Sequence, residues 1–191
     1  VMSDVLLPGR VALVKWVLAE GCLRDGKVEY LCTMAHCAAC YGHRELVQWL
    51  CGEGGFAMDE RVMVTAARGG NLGLVEWLRR AGCAWDKDAC SAAAFFGRLE
   101  VLQWLRANGC PWDPKIVCIH AASHAAAAGL RAGGHLEVLR WIRDNGGELT
   151  EDLCMWAAGQ GRLAALQDLR SVGCPWGTKT CDAAAMKGQL E

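Results

Sequence analysis

Nowhere does the 191-residue chain hold an uninterrupted apolar run of the about eighteen residues that a bilayer-spanning helix needs; Gly, Arg, Asp or Glu breaks every stretch sooner. There is also no basic block: twenty Lys and Arg stand against twenty-one Asp and Glu, a net charge of −1. Nucleic acids and anionic membranes both recruit concentrated positive surface, so neither is expected as a partner. The opening VMSDVLLPGR lacks the basic start and long apolar segment of a secretory leader, and it begins with Val rather than Met. The chain is therefore read as part of a longer one.

What the chain has in quantity is apolar residues, 53% of the total, enough to build a core and to set disorder aside. Twelve cysteines in a short secreted protein would suggest a disulfide framework. In a chain of this size without a leader they are read as reduced thiols, and the expected location is intracellular, in cytoplasm or nucleus.

The chain is internally repetitive. GRVALVKWVLAEGC from Gly9, GHRELVQWLCGEGG from Gly42, GNLGLVEWLRRAGC from Gly70, GRLEVLQWLRANGC from Gly97, GHLEVLRWIRDNGG from Gly134 and GRLAALQDLRSVGC from Gly161 repeat one pattern, and GQLE at Gly188 opens another copy. Successive glycines lie 33, 28, 27, 37, 27 and 27 residues apart. A period near 27 with two longer intervals is the mark of stacked units, here a single array of about six and a half repeats over 1–191.

Each unit spells two short helices. In the second, Val101, Trp104, Leu105 and Asn108 follow the i, i+3, i+4, i+7 pattern, and Leu99 and Leu102 widen the apolar surface so that more than one side must be covered. Glu45, Glu100 and Glu137 fall in its first turn and Arg79, Arg106, Arg143 and Arg170 in its last, the signs that complement a helix dipole. Gly82, Gly109, Gly146 and Gly173 then stand where a left-handed cap is wanted. The first helix is announced by Asp59, Asp86, Asp113 and Thr150, each able to accept from free N–H groups, and Asp113 is followed by Pro114. Small pairs come next, Ala38-Ala39, Ala66-Ala67, Ala93-Ala94, Ala157-Ala158 and Ala184-Ala185, permitting close approach. Helices of about ten residues are marginal alone, so the pairs must be stable by stacking. The predicted fold is all-α, an α-solenoid.

The segment Thr33-Met34-Ala35-His36-Cys37-Ala38-Ala39-Cys40-Tyr41-Gly42-His43 resembles the ankyrin repeat, keeping its Thr, His, Ala-Ala and Gly-His at the family's spacing. The resemblance extends over nearly the whole chain, with departures. Most units are about six residues short where an ankyrin repeat carries its β-hairpin finger, leaving a tight turn such as Cys110 to Asp113. Trp16, Trp49, Trp77, Trp104 and Trp141 replace the family's second-helix Leu, and Cys90, Cys154 and Cys181 replace its first-helix Leu, with Cys118 near that column but one place late. Short Trp- and Cys-rich units of this kind look like the divergent ankyrin arrays of protists, algae and giant viruses. Asp168 interrupts the tryptophan column, implying either a loosened stack or access by a neighbour or solvent there. The segment after Asp113, PKIVCIHAASHAAAAGLRAGG, is alanine-rich, which predicts a long first helix from about Pro114 to Ala128, ending near Gly129 and protruding from the array.

Chemistry-bearing patterns are sparse. Cys37-Ala-Ala-Cys40 has redox-motif spacing, with Cys32, His36 and His43 nearby, but both alanines belong to the packing column and no second Cys-x-x-Cys exists. Cys22, Cys83, Cys110 and Cys174 follow the capping glycine and are read, like the Leu-column cysteines, as small buried hydrophobes. Eight of nine tryptophans fall in repeat columns, with Trp85, Trp112 and Trp176 in the turn; Trp156 falls outside them. No Ser or Cys is set with a His and an acid as nucleophilic catalysis requires, so no enzyme activity, metal or cofactor is expected.

The expected function is a protein-binding scaffold or adaptor, monomeric, receiving a protein partner on the concave face. The alternative is a targeting module of an enzyme or ubiquitin-adaptor chain whose effector lies elsewhere; a third is a gene copy without a present partner. The resemblance implies contacts at the residues after Ala-Ala, giving Tyr41, Arg68, Phe95, Phe96, His124, Gln160 and Lys187 as the candidate partner-binding set. Phe95 and Phe96 stand out because adjacent aromatics on a helix cannot both point into one core.

Overall fold

Asp59 shows how these units start. Its backbone is extended and its carboxylate accepts the Val62 N–H at 3.2 Å, so the chain turns helical at the next residue. Asp86 accepts from Asp88 N at 2.9 Å, and Asp113 from Lys115 N at 3.0 Å. Thr150 occupies the same place with extended backbone but makes no side-chain cap bond. Gly82, Gly109, Gly146 and Gly173 end the second helices at φ between 81° and 88°, the left-handed region that favours glycine.

The computed structural model describes residues 27–52, 58–127 and 134–188, with Ala12 and Trp16; the side chains of 27–31, 123–127 and 134 lie outside that description, as do the rest of the Gly9 copy and the expected helix end near Gly129. The described elements are α1 (Lys27–Cys40), α2 (Arg44–Gly52), α3 (Glu60–Gly69), α4 (Leu72–Arg80), α5 (Lys87–Phe95), α6 (Leu99–Ala107), α7 (Pro114–Ala127), α8 (Gly134–Asp144), α9 (Glu151–Gly159), α10 (Leu163–Ser171) and α11 (Thr178–Met186). No strand occurs among the described residues. The all-helical reading therefore holds, and the alanine-rich segment forms a helix of 14 residues where α5 and α9 have nine. Cys118 is in column after all, three residues before Ala121-Ala122 as Cys90 is before Ala93-Ala94; the additional residue lies in the first turn of α7.

Odd-numbered helices form one layer and even-numbered helices the other. Within the first layer α1, α3, α5 and α7 pack closely side by side, as α9 does with α11, whereas the even helices touch one another sparsely. The side chains explain the difference. Ala66, Ala67, Ala93, Ala94 and Ala157 are fully buried and bring first helices together, while Trp77, Trp104 and Trp141 hold second helices apart. Units narrow on one side and wide on the other stack into an arc with the first helices inside. Between α7 and α9, flanking the 128–133 segment, the first-layer contact is thinner. The second helices α2, α4, α6 and α8 bury sets such as Val101, Leu102 and Leu105, whereas α10 buries only Ala165 and Leu169.

Adjacent units are also joined by polar bonds from the residues that follow Gly70, Gly97 and Gly134. Asn71 Nδ2 donates to Cys40 O at 2.9 Å, Arg98 Nε to Arg68 O at 3.2 Å, and His135 Nε2 to Phe95 O at 3.0 Å. Each satisfies a carbonyl at the C-terminal end of the preceding first helix, where no intrahelical donor remains. The close approach requires glycine beside it: a Cβ on Gly69 would strike the Cys40 carbonyl and the Asn71 amide.

The last-turn arginines do more than complement a dipole. Arg106 Nη1 donates to Cys110 O at 2.7 Å while its guanidinium lies 4.6 Å above the Trp112 ring, and Arg170 repeats this with Cys174 O and Trp176. The turn cysteines bond back: Cys83, Cys110 and Cys174 Sγ donate to the carbonyls of Asp59, Asp86 and Thr150 at 3.2–3.3 Å. The six cysteines at 83, 90, 110, 118, 154 and 174 are buried and reduced; Cys181 is exposed.

Candidate partner-binding face

The alanine pair fixes which side of a first helix is free. With both alanines turned inward, a period of 3.6 residues brings the positions five, two and one before the pair, and the second after its first alanine, onto the opposite side. On α3 these are Arg61, Val64, Thr65 and Arg68, and all four are exposed or half-buried. On α5 they are Asp88, Ser91, Ala92 and Phe95; Ser91 alone is buried, its hydroxyl donating to Lys87 O at 3.1 Å.

The expected residues fall on or beside this face as follows. Tyr41 is exposed and its ring stacks on His43 with centroids 6.2 Å apart. Arg68, Gln160 and Lys187 are exposed; Phe95 and Phe96 are half-buried. The His124 side chain lies outside the described residues. Three of the seven are brought together: the Phe95 and Phe96 rings meet edge to face at 4.9 Å, and the Arg68 guanidinium lies 4.7 Å above Phe96. Phe95 also meets His120 of the next repeat edge to face at 6.1 Å. Tyr41, Gln160 and Lys187 sit in other repeats, apart from this cluster.

Phe95 and Phe96 are held where they are by backbone rather than by burial. Phe96 ends α5, its N–H bonded to Ala92 O, and Gly97 turns the chain at φ +67° so that Arg98 can bond back to Ala93. The His135 bond to Phe95 O ties this corner to the next unit. The result is an aromatic surface on a hydrogen-bonded corner, cationic on one side.

Three contributors were absent from the expected set. Ile119 is 49% exposed and Trp156 is 38% exposed, both on first helices just before the alanine pair, and Arg98 is exposed beside Phe96. The helical period counted back from Ala121 and Ala157 would have found the first two. Arg98 is marked only by following the repeat glycine Gly97.

Burial raises the thiols of Cys83 and Cys118 to about 11 and that of Cys174 to about 12. Cys90, bonded to the Cys110 thiol and buried, is also raised, and the same bond lowers Cys110. Thiols held protonated are poor nucleophiles and poor metal ligands. Among the described residues no three His, Cys, Asp or Glu side chains are arranged to hold a metal ion.

Residues 30–60 match the family model of the ankyrin repeat. The matched segment takes in most of α1 and all of α2, and the remaining units repeat its two-layer arrangement as an ankyrin-like α-solenoid. A comparison with curated proteins finds no match. Ankyrin repeats generally mediate protein–protein interaction. No helix among the described residues is long and apolar enough to cross a membrane.

Proposed function

We propose that the chain is a protein-binding scaffold whose partner docks on the first-helix side of the arc, centred on Phe95 and Phe96. The observation that supports this is the Phe95–Phe96 pair itself: two large aromatic side chains, left partly open to solvent and overlaid by Arg68. Aromatic residues and arginine on a rigid support are the residue types that dominate interface energies. Binding through such a surface requires no catalytic group, and none is assigned.

The test is a comparative capture experiment from the source cell. Wild-type chain and a Phe95→Ala/Phe96→Ala variant, matched in helix content by circular dichroism, are immobilised and their retained proteins quantified. A partner bound by the wild type should fall by at least about tenfold on the variant, as expected for loss of an interface anchor. Equal retention by both would refute the location.

A further inference from the structure

The first-helix face bears opposite charge at its two ends. Where the first helices begin, Glu60, Arg61, Val64, Thr65, Asp86 and Asp88 line a cleft of about 390 Å³ between α3 and α5, with His36 of α1 at its border, so that three carboxylates face one guanidinium and one imidazole. Where the same helices end, the exposed Arg68 lies over Phe96 and the exposed Arg98 bonds the Arg68 carbonyl, and neither arginine has a carboxylate within salt-bridge distance among the described residues. Asp88 and Phe95 lie two helical turns apart on one helix, a separation of roughly 10 Å.

That separation matches an extended peptide. A strand rises about 3.3 Å per residue and its side chains alternate in direction, so side chains four positions apart share one face, span about 13 Å and reach both ends together. A Lys or Arg inserted among Glu60, Asp86 and Asp88 replaces the missing counter-charge there. An Asp or Glu between Arg68 and Arg98 does the same at the other end, where a planar guanidinium can hold a carboxylate through two bonds. An apolar side chain between them meets Val64 and the Phe95–Phe96 pair. Like charges reversed in order would face repulsion at both ends, so the face sets direction as well as composition.

We propose that the groove between α3 and α5 docks an extended partner segment bearing a Lys or Arg and, four residues away, an Asp or Glu, with an apolar residue midway between them. This deepens the protein-binding reading above and rests on it.

The test selects random dodecapeptides displayed on phage against the whole chain. Recovered peptides should share the basic–apolar–acidic spacing, and their affinity should fall by at least about tenfold on Arg68→Gln/Arg98→Gln and on Glu60→Gln/Asp88→Asn, and weaken with rising salt. Peptides that lack the charge pair, bind both charge variants undiminished and are lost on Phe95→Ala/Phe96→Ala would overturn the charge pairing while leaving the binding face. A selection that yields no peptide dependent on either pair of substitutions would overturn both.

Discussion

Trp85 meets Trp104 edge to face, with ring centroids 6.1 Å apart and planes at 72°. The first belongs to a turn and the second to the next repeat's second helix, and in the corresponding positions Trp112 and Trp141 meet at 5.9 Å with planes tilted at 58°. One repeat on, both positions change at once: Leu149 stands in the turn and Asp168 in the helix. Arg143, which has no turn tryptophan to cover, instead donates to Val172 O of the following unit at 2.9 Å. The Asp168 carboxyl is raised above its ordinary value by burial, an effect that Arg140 partly offsets. The interruption seen as one odd residue in the sequence is thus a paired replacement.

Restoring the pair should restore its coupling. In a double-mutant cycle, Leu149→Trp with Asp168→Trp is expected to be more stable than the sum of the single changes by about 1 kcal/mol, the ordinary worth of an aromatic pair beyond its burial. Urea unfolding of the four proteins measures it. Strict additivity would mean that the two positions do not meet.

Removing an existing member has the opposite sign. Trp104→Ala deletes a ring that packs on the core and on Trp85, and about 2–4 kcal/mol of stability should go with it. The same change at Trp156, which is 38% exposed and outside both tryptophan columns, should cost well under half of that. Comparable losses at the two sites would contradict the division between stacking and surface tryptophans.

His135 carries an inter-repeat bond while 4% exposed, so its removal leaves Phe95 O without its side-chain donor. His135→Ala is expected to destabilise by about 1–3 kcal/mol. Hydrogen exchange should show the loss concentrated around α5 and α8, the two elements the bond joins. Gly97→Ala should act at the same corner, because its φ of +67° strains any L side chain and a Cβ there comes within 3.0 Å of the His135 ring. Exchange that rises evenly along the array would argue against a local tie.

How much of this was legible beforehand depends on whether a residue acts within its own unit. Asp59, Asp86 and the capping glycines make bonds a few residues away, and their spacing alone announces them. Asn71, Arg98 and His135 bond across about 30–40 residues to a carbonyl of the previous unit, and their three different side chains hide a common role. The face that includes Phe95 was legible from the alanine pair, but not the charge at its ends. Cys118 looked displaced because counting began at the aspartate, whereas the buried column is set by its distance to the alanines. The curvature too depends on the ratio of two layers, Ala against Trp, and neither column shows it alone.

The buried cysteines make stability depend on pH on the alkaline side. An ordinary thiol ionises near 9, and Cys83 and Cys118 in the fold do so near 11 and Cys174 near 12. Between those values the unfolded chain has lost protons that the folded chain keeps, so each rise in pH favours unfolding. Stability should be full below pH 9 and decline from 9 toward 12, each fully affected thiol contributing a slope of up to about 1.4 kcal/mol per pH unit. Tyrosine and lysine titrate in the same range, so the informative comparison is with Cys83→Ala/Cys118→Ala/Cys174→Ala. That variant should be less stable at pH 8 from the loss of packing, yet lose less on going to pH 11. Urea midpoints at the two pH values decide it, since an unchanged difference between them would show that these thiols ionise as readily folded as unfolded.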